Sequence, residues 1–194
     1  MTIKVQETLT NWNYYLALDS DLMQVSRSVE FSEHNFSTYS IELAHILLAA
    51  SSEVDVLAKA ICAILEPNHR AENINHYKAI ITKGIPDLPP QAVYVPRFGL
   101  TLHPWSNWRA ERNPDWWRSY NDVKHHRDQH FEDASLEHAL NSLGALLIVN
   151  FHYYRLKAGY DLSPNGKKDT TRQLEPESQL MRLDDEYYYS HLIV

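Results

Sequence analysis

Within the twelve residues from Trp116 to Arg127 the chain sets a guanidinium, Arg118, and an imidazole, His125, seven positions apart. An imidazole takes up and gives back a proton near neutral pH, and a guanidinium holds a phosphate through paired hydrogen bonds. Set against an RNA strand, the imidazole would draw the proton from a ribose 2′-hydroxyl, whose oxygen then attacks the neighbouring phosphorus. Arg118 would stabilise the charge that builds on the nonbridging oxygens, and this chemistry needs neither metal nor cofactor. Asn121 can orient His125 or the phosphate. Asp122 can raise the imidazole pKa or pair with Arg118. Lys124, Arg127 and Asp122 are the residues expected to contact RNA around the reacting pair.

These groups act together only if the local structure aligns them. Asn113-Pro114-Asp115 reads as a helix start, with Asn at the N-cap, Pro at the first helical position and an acid in the first turn. The helix is expected to end between Arg127 and Phe131. Seven residues at about 100° each fall about 20° short of two turns, so Arg118, Asn121, Asp122 and His125 share one stripe. His126 and Arg127 point elsewhere. The same spacing suits a structural ion-pair stripe on a noncatalytic helical interaction module, and that is the alternative reading. A pairing of Glu53 with Arg118 or Lys124 is expected, because an acid inside AASSEVDVLAKA needs solvent or a cation.

Other chemistries find less support. His125, His126, His130, Glu132 and His138 lie within fourteen residues, and His126 with His130 could chelate from one helical face, but no second chelating pair stands at a familiar spacing. No bound metal is expected. No serine sits in a glycine-framed elbow, and the single cysteine, Cys62, lies in an apolar helical run as a buried small hydrophobe. Trp105, Trp108, Trp116, Trp117 and Tyr120 are interleaved with the cations of residues 97–130 and would suit base stacking, although most of them read as core.

Around this segment the periodicity is helical. Residues 12–30 carry apolar positions at spacings of three and four, and 39–65 carry the strongest such signal, capped by Ser37 or Thr38 and stopped by Pro67. Leu43, Ile46, Leu47, Val56, Leu57 and Ile64 widen its apolar sector, which predicts a central helix covered on more than one side. A shorter helix is predicted over 71–83. Five prolines between Ile85 and Trp105 exclude a helix there, and Val93, Val95, Leu100 and Leu102 fit a small β-hairpin that could cover the site. Ser135 caps a second long helix to Ala158, with Leu136, Leu140, Leu143, Leu147 and Phe151 in register and Gly159 as its stop. The fold class is therefore all-α: a helical domain over 1–159 with a proline-rich insertion at 85–113. Residues 160–194 read as a loose tail whose last residues, from Tyr187 to Val194, can dock.

A chain of 194 residues suits one domain plus a tail. The net charge of -7 argues against a protein that coats nucleic acid nonspecifically, though not against a local basic cleft. One cysteine gives no intramolecular disulfide, no segment approaches the roughly 20 apolar residues of a membrane span, and the N-terminus lacks signal-peptide features. Residence in the cytoplasm, away from membranes, is the expectation.

The long helix SIELAHILLAASSEVDVLAKAICAIL, the later helix bearing RSYNDVKHHR and the capped final helix ASLEHALNSLGALLIV together resemble the HEPN superfamily of all-α proteins, over roughly residues 12–158. Arg118 and His125 match its Arg-x4-6-His motif in the Arg-x6-His form. The resemblance implies a metal-independent endoribonuclease or an RNA-binding relative, often a toxin or an effector of antiphage defence. It implies a homodimer whose two motifs meet in one composite cleft, and an antitoxin or defence-system partner. Asn121 would be the polar companion of the pair, since Ser119 stands where many members place Asn, Asp or His.

Overall fold

The computed structural model describes residues 8–189, and its order of elements follows the hydrophobic pattern closely. The α-helices are α1 (Thr10–Val25), α2 (Ile41–Leu65), α3 (Ile74–Gly84), α4 (Asp115–His125), α5 (Arg127–His130), α6 (Leu136–Ala158) and α7 (Pro164–Gln173). Strands β1 (Val93–Val95) and β2 (Leu100–Leu102) pair antiparallel, with Val93 opposite Leu102 and Val95 opposite Leu100. The described chain is thus mainly helical, with one small hairpin. No helix among the described residues is long and apolar enough to cross a membrane.

Helix ends follow local hydrogen bonding. The N-cap of α2 is Ser40, whose hydroxyl accepts the Leu43 N–H, so the helix starts two residues later than Thr38, and three later than Ser37, would set it. Asn73 caps α3 by accepting the N–H groups of Asn75 and His76. Ser135 caps α6, and Gly159 closes it with a left-handed φ of 73° that a side chain would resist.

Helix α2 is covered on more than one side, as its wide apolar sector predicts, and α6 beside it is buried more completely still. Every residue from Ser142 to His152 is buried, on all sides of the helix. Helices α1, α2, α4 and α7 pack around it, and α2 is flanked in turn by α1, α3 and α4. Covering α2 from these directions still leaves Val56 and Ile64 more than 40% exposed. The hairpin seats directly on α6: a side chain at Gly144 would meet Pro104 at 3.2 Å and Val93 at 3.6 Å, so glycine permits the approach.

Two expected boundaries dissolve. The proline-rich segment is a wall of the core, with Val93, Val95, Leu102, Trp105 and Trp108 all buried. Nor is the C-terminal segment loose as far as Tyr189. Leu174, Leu180, Met181, Leu183 and Tyr187 are buried, and Arg182 exchanges both backbone hydrogen bonds with Tyr94, extending the edge of β1. Asp19 of α1 accepts the Ser178 hydroxyl at 2.7 Å and the Gln179 N–H at 3.0 Å, while Trp12 donates to the Pro176 carbonyl. Residues 192–194, expected to dock, lie outside the described residues, as does the extreme N-terminus.

The buried α6 carries an imidazole. His152 Nε2 donates to Gln91 Oε1 at 2.9 Å, and its Nδ1 is buried without a partner. Burial, with the Arg155 and Lys167 charges adding, lowers this histidine from 6.5 to about 3. The unfolded chain takes up a proton below about pH 6.5 while the folded chain keeps the ring neutral, so stability is present above that pH and is lost as pH falls toward 3. Between pH 7 and pH 4.5 this one group should remove about 2 to 3 kcal/mol. Urea unfolding at the two pH values measures it, and His152→Leu should flatten the difference by that amount.

Candidate functional site

Helix α4 is held by its apolar face. Trp116, Trp117, Ser119, Tyr120 and Val123 are buried, which turns Arg118, Lys124 and His125 outward. Trp105 packs against Trp108 in a tilted pair with ring centroids 4.3 Å apart and meets Trp116 edge-on at 5.2 Å. Trp116 contacts Trp117 at 5.7 Å, and Trp117 contacts Tyr120 at 5.4 Å. The Trp116 indole N–H donates to the buried Pro104 carbonyl at 2.8 Å. The aromatics interleaved with the cations are therefore the mounting of the helix, and Asp115 at its start with Lys124 and His125 at its end suit the helix dipole.

The helix start differs by one position from the sequence reading. Pro114 is the N-cap, with an extended ψ of 143°, and its carbonyl accepts the Trp117 and Arg118 N–H groups. Asn113 caps nothing: its amide N–H donates to Asn75 Oδ1 at 3.2 Å, tying the start of α4 to α3. The helix also ends sooner. His126 takes φ -139° and ψ 44°, so Arg127 opens α5 and is not part of α4.

Arg118 and His125 thus lie on one face of α4, both exposed, and neither forms an ion pair among the described residues. The expected pairing of Glu53 with Arg118 or Lys124 is not made. Lys124 curls back to donate to the Tyr120 hydroxyl at 3.1 Å, its ammonium 5.1 Å from that ring's centroid. Glu53 is half-buried, and burial raises its carboxyl pKa. Asp55 takes the cation of Lys59 and the Tyr77 hydroxyl instead. Among the described residues, then, Arg118 and His125 enter no ion-pair network.

The stripe divides between two surroundings. Arg118 and Asn121 line an open groove of about 440 Å³ with Arg112, Asn113 and Asp115, over a floor of Trp117 and Ile74. Two guanidiniums on one groove suit an anionic ligand. Asn121 spends its amide N–H on the Trp117 carbonyl at 2.8 Å and is not hydrogen-bonded to His125. Asp122 lies on the other side, its carboxylate within 4.8 Å of His130 and Asp133 side-chain atoms. His125 stands at the end of α4, outside the groove lining, with its ring 6.5 Å from that of His126. Ser119, beside Arg118, is buried and faces the core.

Arg112 and Asn113 are groove residues that the stripe does not include. Their position follows from Glu111, whose left-handed φ of 57° turns the chain before α4. Ile74 arrives from α3, far away in sequence. Cys62 is fully buried, and burial with the Glu66 charge pushes its thiol up to about 11, which excludes it as a nucleophile. No protein-family model, curated protein or solved structure matches the chain.

The division between mounting and outward face is measurable. Trp116→Ala removes a buried indole and its hydrogen bond and should lower stability by about 3 to 5 kcal/mol. Arg118→Ala should change it by no more than about 0.5 kcal/mol, since an exposed side chain without a partner leaves nothing behind. Chemical denaturation of the two variants beside the parent chain decides this.

Proposed function

We propose that this chain is a HEPN-like, RNA-directed protein: a metal-independent endoribonuclease whose cleavage site is assembled by two copies. The observation that carries the reading is the pair Arg118 and His125, presented together on the outer face of one rigid helix and engaged in no ion pair among the described residues. A cation and an imidazole with structural duties would be spent on neighbours; these two are free to meet a ligand.

In the proposed reaction His125 takes the 2′-hydroxyl proton and the resulting oxygen attacks the adjacent phosphorus, giving a 2′,3′-cyclic phosphate as the 5′-oxygen leaves with a proton. Arg118 neutralises the charge on the nonbridging oxygens. The groove beside it supplies Arg112 as a second phosphate contact. Lys124 and Arg127 extend the basic edge of the same end of the molecule. Along the helix axis Arg118 and His125 are separated by about 10 Å, from a rise of about 1.5 Å per residue. One copy offers a single arginine and a single imidazole, and a homodimer facing α4 to α4 would bring a second set to the same cleft. An antitoxin or another partner of a defence system would act by covering this face.

The purified chain should cut single-stranded RNA in the presence of EDTA. His125→Ala should lower the rate by roughly 100-fold or more, and Arg118→Ala by a comparable factor, with circular dichroism and melting unchanged. Cyclic phosphate ends, read by end-labelling and mass spectrometry, identify the 2′-hydroxyl as nucleophile. Cleavage that survives His125→Ala, or that stops in EDTA, would overturn the mechanism.

A further inference from the structure

Beyond α4 the chain doubles back. His126 breaks the helix, α5 runs only from Arg127 to His130, and a single 3-10 turn over Phe131–Asp133 leads toward α6. Both ends of this short return are fixed. Phe131 packs edge-on against Tyr39 at 5.6 Å, and His138 of α6 makes a 2.9 Å hydrogen bond from its Nδ1 to the Asp133 carbonyl. The return therefore brings His130 and Asp133 beside Asp122, which lies one turn before the end of α4.

There, side-chain donor atoms of Asp122, His130 and Asp133 all lie within 4.8 Å of one another, each residue half-buried. Among the described residues the Asp122 carboxylate has no hydrogen-bond donor and no Lys or Arg partner. Asp133 meets only His130, whose Nδ1 is 3.0 Å from its Oδ2. Two partly buried carboxylates this close repel unless positive charge lies between them. All three donor atoms lie close enough together to reach one ion. One imidazole nitrogen and two carboxylates, with open positions toward solvent, form a ligand set for a divalent transition metal rather than for magnesium or calcium, which prefer oxygen alone.

We propose that Asp122, His130 and Asp133 bind one divalent transition-metal ion, which clamps the return segment to the end of α4. On binding, the ion replaces the hydrogen bond between His130 Nδ1 and Asp133, with the neutral ring keeping its proton on Nε2. The ion takes no part in the RNA chemistry proposed above. Its binding is read without any activity, so the two proposals fail separately.

Zn²⁺ is the probe, added to the chelator-stripped full chain and followed by isothermal titration calorimetry. The parent chain should take up one Zn²⁺ that His130→Ala and Asp122→Asn bind roughly tenfold more weakly or not at all. The double variant His69→Ala/His76→Ala, which alters an imidazole pair near the start of α3, should keep that ion. Mg²⁺ at the same concentration should not displace it. Asp122→Asn is nearly isosteric, so it preserves the fold should His130→Ala disturb it. Equal Zn²⁺ binding by the parent chain and Asp122→Asn would overturn the proposal. So would no binding by the parent chain, the result expected if His130 serves only as the hydrogen-bond partner of Asp133.

Discussion

From Ser142 to His152 the axis of α6 has water on no side, and that burial constrains every other element. A helix apolar around its whole circumference has to be enclosed by several partners. Helices α1, α2, α4 and α7, together with the proline-rich segment, supply them. Each covering element therefore commits one face inward. What α4 shows to solvent is the remainder after Trp116, Tyr120 and Val123 have gone to the core. The candidate site is thus displayed by packing and not by a loop, and a change in the α6 surface would rotate Arg118 and His125 along with their helix.

That arrangement also explains the prolines. A helix at 85–105 would present a cylinder to α6, whereas an extended hairpin presents a flat edge that Gly144 allows to come close. The same segment delivers Trp105, Trp108 and the Pro104 carbonyl to the underside of α4, where an indole N–H would otherwise be buried without an acceptor. The C-terminal segment completes the enclosure, because Tyr94 on the edge strand pairs with Arg182 and the buried carboxylate of Asp19 gathers Ser178 and Gln179.

Much of this was legible in the sequence, for physical reasons that also mark where it stopped being so. The spacing of Leu136, Leu140, Leu143, Leu147 and Phe151, the Ser135 cap, the Gly159 stop and the register of Val93 to Leu102 depend on neighbours close along the chain. So does the apolar face of α4. Amphipathic periodicity marks α2 as a covered helix, and it is total apolarity, from Leu143 to Val149, that marks α6 as the more deeply buried one. The C-terminal segment looked loose because its few apolar residues, among them Leu174, Leu180, Met181 and Leu183, are irregularly spaced. They lie buried along an extended path whose partners on α1, Trp12, Tyr15 and Asp19, are more than 150 residues distant in sequence. The same holds for the site: helical arithmetic grouped Arg118 with Asp122, but which neighbour each meets depends on α3 for the groove and on α5 for the acids.

The division of that stripe carries the last step. Arg118 and Asn121 look onto a groove whose other wall is the α3 end and the turn at Glu111, while Asp122 belongs to the segment that folds back after His126. His125 sits between these two surroundings at the end of its helix. The backbone hydrogen bonds of α4 hold the Arg118 and His125 backbones about 10 Å apart along the axis. In the proposed pair, a twofold axis crossing α4 near Asn121 and Asp122 would bring the Arg118 end of one helix against the His125 end of the other. The rigidity of α4 is then what would set the distance between those groups in the proposed pair.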